Sequence, residues 1–328
     1  MATDMTILVG TVGQGIMRSG DGGESWWRVG IDQGLHSDAL VRTLLASPEL
    51  SSVVFAGTDK GLYLSEDSGA TWRLVDSPMN GNCVWALALD PQGPQNMYAG
   101  TGTPNPAALF RSNDGGVSWH KTSMTAAETC PNVGVPRVTG IAVDPTEPRN
   151  VWVGLEVDGV RCSRDGGDTW QSVNGAIPNM DVHNVAVAAG PPKTVVVVVN
   201  DDVHTSNDDG ATWHSLDIRQ NWPYGYPRGI MVQPGKTNTI FMTIGDTTPG
   251  RIGAVMRSND TGNTWQQMKL PVDPNTAMWV VNVQPSDPQV VFAGSRYGYL
   301  YRSDDGGDSW AKLWREFSEI SSVLWVPA

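Results

Sequence analysis

Seven short apolar segments of this chain carry unlike side chains at one equivalent position. In segments such as VRTLLASP (Val41–Pro48), VWALALDP (Val84–Pro91) and MWVVNVQP (Met278–Pro285), the second residue across the set is Arg42, Trp85, Thr139, His183, Arg228, Trp279 and Ser321. The fourth residue is uniformly apolar: Leu44, Leu87, Ile141, Val185, Ile230, Val281 and Val323. Position four therefore reads as packing, and position two, which breaks the rule of its own repeat, as the lining of a site. Arg42 and Arg228, with Arg296 from a joining loop and Arg137 nearby, supply planar cationic forks suited to a carboxylate or sulfate. The competing role for them is to tie loops together through Asp59, Asp202 or Asp246. Trp85 and Trp279 offer flat faces to a sugar or aromatic ring and equally suit packing between repeats. His183 suits proton transfer near neutral pH, with Glu156 and Asp202 from neighbouring loops as partner carboxylates; a purely structural histidine fits the sequence as well.

These residues need a frame, and the chain spells one out. An octapeptide recurs at Ser19–Trp26, Ser65–Trp72, Ser112–Trp119, Ser163–Trp170, Ser206–Trp213, Ser258–Trp265 and Ser303–Trp310, always as Ser-x-Asp-x-Gly-x-Ser/Thr-Trp. The mean spacing of roughly 47 residues is that of a four-stranded propeller blade. Within one period, VRTLLASP, VVFAGT (Val53–Thr58), GLYL (Gly61–Leu64) and the run from Trp72 to Val75 read as four short strands separated by turn residues. The expected fold is all-β: a single seven-bladed β-propeller over residues 1–328. The chain opens on a second strand (Thr6–Thr11), and ISSVLWVP (Ile320–Pro327) matches the first strands. The last strand should thus complete the first blade and leave no open edge.

In each octapeptide, the Asp side chain can accept backbone N–H groups across a turn, the Gly supplies an unusual φ, and the Trp buries its ring. Asp21, Asp67, Asp114, Asp165, Asp208, Asp260 and Asp305 are accordingly read as structural carboxylates. The motif resembles the Asp box, or BNR repeat, of sialidase-like propellers in all seven copies. The resemblance places these turns on the face opposite the usual ligand entrance. Sialidases of that kind have six blades and an early Arg-Ile-Pro; here Arg251-Ile252 is followed by Gly253, so sialidase activity is not expected. Related xyloglucanases join two seven-bladed propellers and act in the cleft between them, which one propeller does not form. The photosystem II assembly factors are also seven-bladed, similar in length, and work as binding scaffolds. Calcium-dependent propeller lactonases gather oxygen ligands at the centre, which this ring lacks, so a central calcium is disfavoured; redox-cofactor motifs are also missing, and no metal or cofactor is expected.

The bulk composition agrees. With 328 residues, 37 Gly, 22 Pro, 40% hydrophobic residues and a formal charge of −12, the chain is turn-rich rather than disordered, and nucleic acid or an anionic membrane is a poor partner. No apolar run approaches the roughly 20 residues of a membrane span. The start, MATDMTILVG, lacks the basic and apolar stretches of a secretory signal, and Cys83, Cys130 and Cys162 form no metal or disulfide pattern. A cytoplasmic chain with free thiols is expected, although a trimmed secreted chain would read the same. Long mouth insertions (Lys121–Arg137, Asp217–Arg228, Thr103–Ala108, Asp246–Gly253) should wall a pocket, with Trp222, Tyr224 and Tyr226 as apolar cover. The functional expectation is a hydrolase or lyase for an anionic saccharide or other ringed acid. His183 would be the acid/base, assisted by Glu156 or Asp202, and Arg42, Trp85, Arg228, Trp279, Arg296 and Tyr226 would hold the ligand. The alternative is a non-catalytic scaffold that docks a protein or glycan on the same face.

Overall fold

The structure, a computed structural model, describes residues 5–328. Seven four-stranded antiparallel sheets form the ring, each built from consecutive strands with one exception. In that exception the carboxyl-terminal strand Ile320–Pro327 pairs antiparallel with Met5–Thr11, from Met5 opposite Pro327 to Val9 opposite Val323. Blade 1 is therefore closed by the end of the chain, as the strand pattern requires. Blades 2 to 7 begin with first strands at Val41–Ala46, Cys83–Asp90, Val138–Val143, Val182–Ala188, Tyr226–Val232 and Met278–Gln284.

Each sheet buries both faces against its neighbours. Alternate residues point to opposite sides, and the core divides into seven clusters, one per blade interface. One cluster joins Leu8, Ile16 and Leu324 of blade 1 to Val41, Leu44 and Val54 of blade 2. Another joins Ile7, Val9 and Trp325 of blade 1 to Val290, Phe292 and Leu300 of blade 7. The seam between the two ends of the chain is thus packed like the other interfaces. Second-strand glycines let neighbouring blades approach at the axis: a Cβ on Gly100 would stand 2.2 Å from Val138 Cγ1, and one on Gly57 2.7 Å from the Val84 carbonyl.

The octapeptide closes the turn between third and fourth strands. In blade 3, Ser112 Oγ donates to Asp114 Oδ1 at 2.7 Å and accepts from Gly116 N at 2.9 Å. Ser118 donates to both oxygens of Asp114, from its amide at 2.9 Å and its hydroxyl at 2.6 Å. Trp119 Nε1 donates to the Gly116 carbonyl at 3.1 Å. The serine and aspartate contacts recur in every blade; in blade 5 the indole of Trp213 turns instead to the Val173 carbonyl of the preceding blade. These bonds hold the carboxyls of Asp21, Asp114, Asp208 and Asp305 at about 2. The turn also consumes residues that a longer outer strand would have used. The fourth strand of blade 2 is Arg73–Leu74 alone, shorter than the run from Trp72 to Val75 suggested.

One irregularity repeats around the axis. Each first strand carries a β-bulge near its start, at the position equivalent to Arg42. Val41 pairs with Thr58 and Thr43 with Gly57, leaving Arg42 unpaired. The same slip falls at Trp85, Thr139, His183, Trp279 and Ser321. In blade 6 it spans Arg228 and Gly229, opposite Thr243.

Candidate functional site

A bulge bends its strand and re-aims the extra side chain. Seven bulges at one level turn seven side chains toward the axis, and Arg42, Trp85, Thr139, His183, Arg228, Trp279 and Ser321 all line one channel cavity of about 590 Å³. Leu44, Leu87, Ile141, Ile230, Val281 and Val323 line it too, while also packing between blades. Glu156, Arg296 and Tyr226, also expected at this mouth, line the same cavity.

The tryptophans do not present bare faces. The Arg42 guanidinium lies 4.2 Å from the Trp85 ring centroid and that of Arg137 4.7 Å from it. Arg228 and Arg296 stand 4.5 and 4.6 Å from the centroid of Trp279. A guanidinium stacked on an indole keeps its N–H edge available for in-plane hydrogen bonds. The rings expected to stack on a sugar therefore serve here as platforms for arginine. One arginine of each stack is ion-paired: Arg137 with Glu156 at 2.9 Å, and Arg296 with Glu319 at 3.2 Å. Arg296 also donates to Thr248 Oγ1. Neither Arg42 nor Arg228 forms an ion pair among the described residues. The Nε atoms of Arg42, Arg137 and Arg296 and Nε1 of Trp85 are buried without a hydrogen-bond partner.

His183 is buried, with Nδ1 against the Pro227 carbonyl at 2.8 Å. A carbonyl only accepts, so Nδ1 carries the proton and Nε2 is the acceptor of a neutral ring. Burial first, and the Arg228 charge second, push its pKa well below the usual histidine value. The Tyr226 ring lies 4.9 Å from it and also stacks on Trp279 at 6.1 Å. The carboxylate facing His183 Nε2, at 3.9 Å, belongs to Asp181. Burial, and next the repulsion of Glu156, push that carboxyl up to about 6.

The expected partner Asp202 is elsewhere. It accepts from Ser215 Oγ on the neighbouring outer strand and from Ile218 N at 3.2 Å, and faces His204 at 3.9 Å. Its place at the start of a third strand directs it to the outer strand rather than to the axis. Nor do the loop-tying carboxylates match the expectation. Asp59 pairs with Lys60 and Asp246 accepts from the amides of Arg251 and Ile252, whereas Glu156 and Glu319 hold the mouth arginines. Of the expected apolar cover only Tyr226 lines the cavity. Tyr224 is buried in the core between blades 5 and 6, and Trp222 packs against that core and Trp265. The insertion that carries them begins with one helical turn, Ile218–Asn221, whose Ile218 anchors it to the same core.

Asp181 and Glu319 were not singled out from the sequence. The signal for them is period two: they stand two residues before His183 and Ser321, as Arg137 stands before Thr139 and Tyr226 before Arg228. All three cysteines are free, no cluster of metal-binding side chains occurs among the described residues, and no helix there is long and apolar enough to cross a membrane.

Comparison with known proteins adds to this picture. A family described as Sortilin-Vps10 (sortilin, neurotensin receptor 3) matches residues 202–325, less than half of the chain. The xyloglucanase Xgh74A of Acetivibrio thermocellus is 25% identical over 81% of this chain, which spans only 38% of that protein. The photosystem II assembly lipoprotein Ycf48 of a Synechococcus species is 26% identical over 77% of this chain and 69% of its own. A solved structure of Ycf48 bound to D1 peptide superposes with a TM-score of 0.60 at 18% identity, covering 93% of this chain and 87% of that one. The chain is a seven-bladed propeller related to xyloglucanases and to Ycf48.

Proposed function

We propose that the channel mouth is a binding pocket for an anionic ligand, an acidic saccharide or another ringed or peptidic acid. The observation that carries this reading is the pair of arginine–tryptophan stacks in one cavity, with Arg42 and Arg228 lacking any ion pair among the described residues. Cations without a direct ion pair, beside buried, unpartnered N–H groups, favour a ligand that brings the missing acceptors. The relatives support both candidate sources: xyloglucanases are named for a saccharide substrate, and Ycf48 has been solved with a peptide. Neither name implies an acidic sugar; that part rests on the arginines. The octapeptide turns are read as Asp boxes, in support of which stands their serine–aspartate geometry.

A hydrolase or lyase is the second reading, and the proximity of Asp181 to His183 favours it. In that case Asp181, a carboxyl near 6, would deliver the proton, and Glu156, held by Arg137, would stabilise charge. A thermal-shift panel of uronates, sulfated sugars, neutral xyloglucan oligosaccharides and acidic peptides tests the binding reading. Acidic ligands should raise the melting temperature by mass action and neutral sugars should not. A shift with neutral oligosaccharides alone would overturn it.

A further inference from the structure

The ring of second residues repeats itself. Arg42, Trp85 and Thr139 are followed, after His183, by Arg228, Trp279 and Ser321. The equivalence extends to structural roles. Thr139 Oγ1 donates to the Val182 carbonyl of the next blade at 2.6 Å, and Ser321 Oγ donates to the Val41 carbonyl of its next blade. Each tryptophan carries a second guanidinium, and in each case that arginine is held by a glutamate: Arg137 by Glu156, Arg296 by Glu319. The supporting residues come from different loops in the two halves, yet the chemistry is the same. The tryptophans sit on blades 3 and 7, three blades apart one way round the ring and four the other, so the two stacks face each other across one cavity.

Resting on the anion-binding reading above, we infer that the channel is a two-armed receptor: one ligand presents an acidic group to the Arg42–Trp85 arm and a second to the Arg228–Trp279 arm. Three observations support this. Four arginines line the cavity against two glutamates, an excess of two cationic charges within the lining, with the Asp181 carboxyl behind it in electrostatic reach of Arg228. The two in excess are the arginines without an ion pair, one on each arm. The cavity, about 590 Å³, has room for a molecule of disaccharide size to bridge between the arms. The shared chemistry is a pair of carboxylates on one molecule, which an acidic oligosaccharide and an acidic peptide can both offer.

Calorimetric titration of the whole protein separates the possibilities. The probes are galacturonate and digalacturonate, and end-blocked peptides carrying one or two glutamates. For at least one source, the two-carboxylate probe should bind one to one and on the order of 100-fold more tightly than its single-carboxylate counterpart. Arg42→Ala and Arg228→Ala should each bring the two-carboxylate probe down to the single-carboxylate level. Each single variant should change single-carboxylate binding by no more than about 2-fold, since one arm remains, and the double variant should abolish both. If an alanine variant misfolds by melting temperature, the Gln variant takes its place. Equal affinity for one- and two-carboxylate probes, or dependence on only one of the two arginines, overturns the two-armed receptor and leaves the anion pocket standing. No binding of any acidic probe overturns both.

Discussion

The two ends of this propeller treat polar groups in opposite ways. At the octapeptide turns each aspartate accepts from a serine or threonine hydroxyl, from the amide of that residue and from the first serine, and seven such turns differ only in detail. At the channel mouth the same seven-fold frame holds seven bulged positions with five residue types, and several buried N–H groups find no acceptor. A satisfied network rigidifies, while an unsatisfied buried donor costs free energy unless something else supplies the bond. The repeated turns therefore act as frame, and the irregular mouth is where the proposed ligand would supply missing acceptors.

This contrast is breakable by substitution. The largest expected effect is on ligand binding: losing two charge-assisted anchors in the Arg42→Ala/Arg228→Ala double variant should cost more than about 100-fold in affinity for an acidic probe. Its melting temperature should stay close to that of the parent. Ser112→Ala should do the reverse. Ser112 is fully buried, and its loss strands the Gly116 amide and one Asp114 contact, so unfolding free energy should fall by about 1–3 kcal/mol with ligand affinity unchanged. Denaturant midpoints and titrations on both variants would show whether the two ends are as separable as this.

Acid sharpens the comparison through opposite signs. Asp21, Asp114, Asp208 and Asp305 are held at about 2, below their unfolded value, so their contribution is full above about pH 4 and is lost as pH falls toward 2. Asp181 is pushed up to about 6, so ionising it opposes folding above pH 6, and this opposition fades as pH falls from 6 toward 4. Asp181→Asn should thus raise the melting temperature at pH 8 and by much less at pH 4.5. A rise of equal size at both pH values would contradict this assignment. The smallest effect concerns His183, whose buried ring should stay neutral, with the proton on Nδ1, across the range where a free histidine titrates. A titrating imidazole signal in that window, followed by nuclear magnetic resonance, would overturn the neutral assignment.

How much of this was legible in the sequence follows the range of the interactions. The blades were readable because the octapeptide is local chemistry: Ser112, Asp114, Gly116 and Trp119 satisfy one another within eight residues. Ring closure was readable because Ile320–Pro327 matches the other first strands residue by residue. The level of the cavity lining was readable as well, since variation at one strand position marks Arg42, Trp85, His183, Arg228 and Trp279 together. Which charge meets which was not. Arg296 finds Glu319, twenty-three residues on and in another blade, and Asp202 finds Ser215 rather than His183, because strand direction and loop lean decide these pairs. Trp222 was equally hidden, its ring claimed by the blade 5–6 core and not by the mouth.

The most direct test of the central claim is a titration of galacturonate and digalacturonate into the wild-type protein and into the Arg42→Ala/Arg228→Ala double variant. The arginine–tryptophan mouth predicts binding to the wild type and none to the double variant, with both proteins equally folded. Undiminished binding to the double variant would place the ligand elsewhere and contradict the account.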